Sequence, residues 1–195
     1  MKITQVVPPD WCAKCDVCCR FPEKNSFLAP YFTREEIVSS IKDGIDASYF
    51  TETSGCKINL TPYKEGYICP AFDPAKSHCM IYDVRPLDCM IYPFAIMRDV
   101  TGKEIDDGGK EIDRRDILVP IVLGPIVLGI DIKCPYIREY RYAYSIKVAS
   151  GEIASAIESP PLLSIFAENQ GLIGPYQDDV IPVAALKGLK NVIIS

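Results

Sequence analysis

Cysteine is the residue type in this chain that offers the most chemistry. Nine cysteines stand at positions 12, 15, 18, 19, 56, 69, 79, 89 and 134. Cys12, Cys15, Cys18 and Cys19 fall within one short stretch. The Cys-x2-Cys-x2-Cys spacing lets successive thiolates converge on one metal or cluster. The turns between them can offer backbone N–H groups to sulfur. The same spacing opens the bacterial ferredoxin run, whose later cysteine is followed by proline. Two such pairs occur downstream, Cys69-Pro70 and Cys134-Pro135. Adjacent side chains diverge in extended chain. Cys18 and Cys19 are therefore expected to point to different ligand sets. That gives either two centres or one centre with a neighbouring thiol.

Cys69, Cys79 and Cys89 are spaced evenly by ten residues. Zinc-knuckle pairs are usually two to four residues apart, so folding must bring these three to the site. With Cys134 they supply four later thiols to complement the four early ones. Eight thiolates match two four-sulfur sites. The occupant is an iron–sulfur cluster, of the 4Fe-4S type for example, or zinc, or one of each. Cys56 reads as a small buried hydrophobe. His78 is the sole histidine, which excludes a His-rich catalytic zinc site and a two-histidine iron site. It is expected beside the metal rather than on it. Trp11, next to Cys12, is placed to shield the centre from water. Tyr82 and Tyr92 can wall the site or donate O–H groups to sulfur. Arg85 can pair with a carboxylate, or offset the negative charge of a thiolate centre.

The bulk composition narrows the partners. The formal charge is −5 and the pI is near 5.0. Binding to a phosphate backbone rests on clustered Lys and Arg, and here Arg114-Arg115 is the only adjacent basic pair, flanked by Asp113 and Asp116. Nucleic acid is not the expected partner; a protein or a small molecule is, with the oligomeric state left open. The start, MKITQVVPPDWCAKC, carries no export signal, so the expected compartment is the reducing cytoplasm, where thiols stay available to metal. The most apolar run, Ile117 to Ile130, is too short for a membrane helix and is broken by Pro120, Gly124, Pro125 and Gly129. No nucleophile–base pair stands out. There is neither a GxSxG nor a glycine-rich GxGxG motif.

Two blocks carry a resemblance. The first is Cys12-Ala13-Lys14-Cys15-Asp16-Val17-Cys18-Cys19. The second is Cys69-Pro70, then Cys79-Met80-Ile81-Tyr82, then Arg85-Pro86-Leu87-Asp88-Cys89, then Tyr92-Pro93. Together, over residues 12–93, they resemble the YkgJ-type CxxCxxCC family of zinc- or iron-chelating proteins. The resemblance implies that Cys12, Cys15, Cys18, Cys19, Cys69, Cys79 and Cys89 belong to the chelating set, with Cys134 the eighth by position. Met90 departs from the arginine that relatives often carry there. The cysteine block is also similar to that of the flagellin lysine N-methylases, which makes a metal-dependent enzyme related to protein lysine N-methylation a further alternative. The leading reading is a cysteine-ligated iron–sulfur protein with a redox or cluster-dependent role. The alternative is a structural zinc protein with two four-cysteine sites.

The elements that must position these residues are short. Pro8-Pro9 is expected to prevent an early helix. Thr33 with Glu36 forms a capping box that opens a helix, and Ile37, Ile41 and Ile45 give it one apolar face. SYFTETS and KINL suggest short strands, and residues 94–101 another. The charged stretch 102–116 reads as a hairpin or an insertion around Gly108-Gly109. The repeated PIVLG of residues 120–129 is buried wall, or a helix opened by Pro120 and kinked by Pro125. Residues 137–159 are a helix or a pair of helices, ended by Pro160-Pro161. The expected architecture is α+β: one small compact domain over 1–195, with irregular cysteine-rich metal-binding segments. Within it, 12–93 is the cysteine core and 117–195 a C-terminal packing region.

Overall fold

The computed structural model describes residues 6–12, 15–98, 103–105, 111–113, 126–175 and 179–189. The chain is mixed α+β and divides into two compact units. One comprises 1–93 and 131–141, the other 94–130 and 142–195. Among the described residues no helix is long and apolar enough to cross a membrane.

The first unit is built from very short elements around one apolar cluster. Helix α1 is Pro9–Cys12. The expectation that Pro8-Pro9 excludes a helix fails because Pro9 takes the first helical position, where its missing N–H costs nothing. Strand β1 (Arg20–Phe21) follows a 3-10 turn over Val17–Cys19. β2 (Tyr31–Thr33) leads into α2 (Arg34–Lys42), whose start is the capping box read from Thr33 and Glu36. Ile37 and Ile45 are buried as expected, but Ile41 is 38% exposed. Ser40, one turn from Ile37, takes its place inside. SYF begins with a 3-10 turn, Ala47–Tyr49, rather than a strand, because Asp46 accepts the Ser48 N–H (2.8 Å) and closes the turn.

β3 (Gly55–Lys57) pairs antiparallel with β2, setting Phe32 opposite Cys56. β4 (Thr61–Tyr63) and β5 (Gly66–Ile68) form a hairpin, and β5 also pairs with β1 in the register Arg20–Ile68 and Phe21–Tyr67. β6 (Phe72–Asp73) pairs with β7 (His78–Cys79). A 3-10 turn over Tyr82–Val84 then leads to α3 (Leu87–Ile91). Phe21, Phe32, Ile37, Ile58, Phe72 and Ile81 are core members, and Cys56 and Cys69 sit among them.

In the second unit, β8 (Phe94–Arg98) pairs antiparallel with β11 (Ile126–Asp131), in a sheet ordered β12, β11, β8 with β12 at Val180–Ala185. All six residues of β11 are buried. The second PIVLG copy is thus strand where it is described, not helix; the first copy lies outside the described residues. β9 (Lys103–Ile105) and β10 (Glu111–Asp113) pair antiparallel, which favours the hairpin reading of 102–116. α4 (Pro135–Ala149) leaves helical geometry at Tyr140, one residue before the boundary between units. α5 (Glu152–Ile157) starts after Gly151, whose φ of 73° suits glycine. α5 stops ahead of Pro160-Pro161, as expected, and the pair also opens α6 (Pro160–Glu168), with Ser159 as cap residue.

The β1–β5 register carries a precise demand at Gly66. A Cβ there would sit 2.6 Å from the carbonyl oxygen of Phe21. That oxygen is backbone and cannot swing away. Gly66→Ala is expected to lower stability by about 1–3 kcal/mol and to lower the melting temperature. A variant that melts with the wild type would show that β1 and β5 do not approach this closely.

Candidate metal centre

Each ligand candidate is delivered by a small hydrogen-bonded device. The Cys15 N–H donates to the Cys12 carbonyl (3.1 Å) and the Cys19 N–H to that of Asp16 (3.0 Å). Asp16 is held by an ion pair with Arg20, four residues on. The β1–β5 pairing continues one step further: the Cys69 N–H donates to the Cys19 carbonyl (3.0 Å). The Phe72 N–H donates to the Cys69 carbonyl (2.9 Å), and Phe72 pairs with Cys79. Cys89 rides on α3, its N–H donating to the Pro86 carbonyl (3.0 Å). The Asp131 N–H donates to the Pro93 carbonyl (2.8 Å), which brings the segment bearing Cys134 alongside Tyr92-Pro93.

These devices converge on one cavity of about 70 Å³ within the first unit. Cys12, Cys15, Cys18 and Cys19 line it, as do Cys79, Cys89 and Cys134. Cys69 does not reach the surface of the cavity. It is 6% exposed and belongs to the apolar core, against which Cys19 and Cys79 also pack. Cys56 is apart, buried with its thiol donating to the Glu52 carbonyl (3.4 Å). No cysteine is in a disulfide. Among the described residues, no three His, Cys, Asp or Glu side chains form a ready-made cage for a single ion.

Cys18 and Cys19 line the same cavity, carried by a 3-10 turn rather than by extended chain. The Cys19 thiol hydrogen-bonds to Cys18, which lowers the Cys18 pKa; Arg85 lowers it further. The same bond, with burial, pushes Cys19 well up. Burial is the main cause that raises Cys12, Cys15, Cys79, Cys89 and Cys134. Cys69 is pushed to about 12. The charge of Cys18 raises each of these six thiols as well.

The five surrounding residues expected from the sequence all line the cavity: Trp11, His78, Tyr82, Arg85 and Tyr92. Among the described residues no carboxylate pairs with Arg85. Its guanidinium lies 3.9 Å from the centroid of Tyr82 and hydrogen-bonds toward Cys12, while its Nε is buried without a partner. Tyr92 donates its O–H to Asp131 (3.0 Å) and not to sulfur. Burial and Asp131 hold that phenol protonated far above its usual range. His78 is exposed at the rim, its ring stacked with that of Tyr82. The Trp11 ring meets Tyr136 and Tyr140 edge-on, at 5.3 and 5.8 Å between centroids.

Sequence reasoning missed Tyr136 and Asp131. Tyr136 shares the wall with Trp11 and ties the Cys12 and Cys134 segments together. Asp131 is 4% exposed and accepts from both Tyr92 and the Lys133 N–H (2.8 Å). A carboxylate closing an apolar run three residues before Cys-Pro was the available signal.

The donor set fits zinc or iron, since soft thiolates suit both. A family model described as "CxxCxxCC: Putative zinc- or iron-chelating domain" matches residues 11–113. No curated protein and no solved structure matches the chain.

The raised pKa of Cys69 has a pH consequence for the metal-free fold. Folding favours its neutral thiol, so the stability it contributes is fully present below pH 9.0 and is lost as the pH rises toward about 12. The stability gap between metal-free wild type and Cys69→Ala should therefore narrow with rising pH across that window. Denaturant melts at stepped pH measure the gap, and a constant value would contradict the buried, protonated thiol.

Proposed function

We propose, from the premise that this chain belongs to the CxxCxxCC family, that its thiol-lined cavity holds an iron–sulfur cluster and that the protein works through it. The observation that carries the reading is the convergence of seven cysteines and Arg85 on one cavity. More thiols face it than one tetrahedral ion can use. Its volume of about 70 Å³ exceeds the roughly 30 Å³ share of a single water molecule. Cys12, Cys15 and Cys18 have ferredoxin-like spacing, and Cys134-Pro135 lies on the same wall. These four are the assigned cluster ligands. A bound cluster supplies one-electron transfer, or a Lewis-acidic iron where a ligand position is open.

The chain's own residues are suited to that load. Arg85 places a fixed positive charge beside Cys12, Cys18 and Cys79, where a thiolate centre concentrates negative charge. Trp11, Tyr92 and Tyr136 keep water from the wall. Burial and hydrogen bonding of this kind tune a cluster's potential.

A second reading rests on a separate observation. Cys19, Cys69 and Cys79 are tied by the Cys19–Cys69 backbone bond and by the Phe72–Cys79 pairing, and Cys89 lines the same cavity as Cys19 and Cys79 to make a second foursome. Eight thiolates divided in this way suit two zinc sites, or one cluster and one zinc.

Oxygen-free purification followed by metal analysis, acid-labile sulfide assay and visible absorption separates the readings. Iron with matching sulfide is expected. Zinc alone, with no sulfide even after anaerobic reconstitution, would overturn the cluster. Cys15→Ala should abolish the cluster, and Cys56→Ala should leave the metal content intact, because Cys56 lies apart from the cavity.

A further inference from the structure

We propose that Glu36 is a positioning residue for Cys89, a role that rests on the second reading above, in which Cys89 is a metal ligand. α3, which carries Cys89, has five residues. So short a helix cannot hold itself, because nucleation is unfavourable and its first N–H groups have no partner within it. Its cap residue is Pro86, which has no side-chain acceptor to offer. The missing cap comes from elsewhere in the chain: Glu36 Oε1 accepts the Leu87 N–H at 2.7 Å. The other oxygen, Oε2, accepts the Thr33 N–H at 2.8 Å and completes the capping box of α2. One carboxylate thus caps two helices. It lies where the partial positive charge of both N-termini favours it.

A second bond fixes the rotation of α3. Asp88 Oδ2 accepts the Tyr31 N–H at 2.9 Å. Lys57 offsets the charge of Asp88, and its Nζ donates to the Phe27 and Ala29 carbonyls at 2.5 and 3.0 Å. The β2–α2 corner therefore grips α3 at its first two residues, and Cys89 is the third. A metal ligand must be held within about half an ångström of its working position. The capping box is legible in sequence as a local device, but its remote half is not.

The test uses the full-length chain under anaerobic conditions with Glu36→Ala, Glu36→Gln and Thr33→Ala. The first readout is cysteine-resolved alkylation of the metal-free protein by mass spectrometry. The second is Zn²⁺ affinity by competition with a chromophoric chelator. Glu36→Ala should speed alkylation of Cys89 and weaken Zn²⁺ binding by about tenfold or more each, the usual scale for losing a group that supports a ligand, with Cys15 and Cys134 changed by less than about twofold. Thr33→Ala removes only the hydroxyl cap of α2 and should leave the Cys89 rate at the wild-type value. If Glu36→Ala does not fold, Glu36→Gln carries the test. It retains size and one acceptor, so a smaller acceleration still confined to Cys89 is expected. Equal acceleration of every cysteine, or an unchanged Cys89, would overturn the proposal. Selective release of Cys89 with unchanged Zn²⁺ affinity would instead remove Cys89 from the ligand set, whichever metal the cavity takes.

Discussion

Thiols crowded together can hold protons or a cation, but they cannot all hold charge, and this constraint governs the molecule. Seven of them share one cavity, and Cys69 belongs to the apolar core against which two of the seven pack. Burial raises nearly all of them, which favours the protonated thiols. Cys18 is the exception, because the Cys19 thiol and Arg85 both favour its thiolate. Its charge in turn raises the others. A single thiolate is all that the guanidinium of Arg85 can balance. Further deprotonation needs a multivalent cation, so metal entry and proton release are coupled.

The scaffold answers that constraint with many small ties rather than with long elements. Among the described residues, no strand lying within 1–93 exceeds three residues. Such strands and turns have little stability of their own, and they depend on the apolar cluster of Phe21, Phe32, Ile37, Phe72 and Ile81 behind them. Cys69 belongs to that cluster, against which the cavity-lining Cys19 and Cys79 also pack. The core and the candidate centre are therefore one cooperative body, in which a bond such as Cys69 N–H to Cys19 carbonyl serves both.

What could be read from the sequence follows the range of the forces involved. The capping box at Thr33 and Glu36, and the strand at β8, are local and were legible. The convergence of the cysteine blocks was legible because thiols of that spacing have few other uses. The proline reading held at Pro160, where α5 stops short of the pair, and failed at Pro9. Proline ends a helix only when it is reached from inside, and at the first position it starts one. Cys18 and Cys19 share one cavity because a 3-10 turn closed by Asp16, not extended chain, sets them. Ile41 failed because periodicity gives a face but not its centre, and the buried face of α2 is centred between Ile37 and Ser40. The remote half of the Glu36 cap, and the Tyr92–Asp131 bond, join residues far apart in the chain and leave no periodic trace.

The position of Cys134 ties these threads together. The family match ends at residue 113, yet Cys134, Pro135 and Tyr136 complete the wall of the cavity. The chain leaves the first unit at Pro93, builds the second through Ile130, and returns at Asp131. Leaving and returning points are clamped to each other by the Asp131 N–H on the Pro93 carbonyl and by the Tyr92 hydroxyl on the Asp131 carboxylate. The clamp makes the return independent of the length and content of the excursion. Asp131 therefore bears on the centre without lining it: it fixes where the chain re-enters, and so where the Cys134 thiol stands, and it keeps the Tyr92 hydroxyl from competing for sulfur. A buried carboxylate beside a cavity of thiols would ordinarily oppose further negative charge. Here it is satisfied by two donors, and the cost of that neighbour is offset by the order it imposes on the last wall of the site.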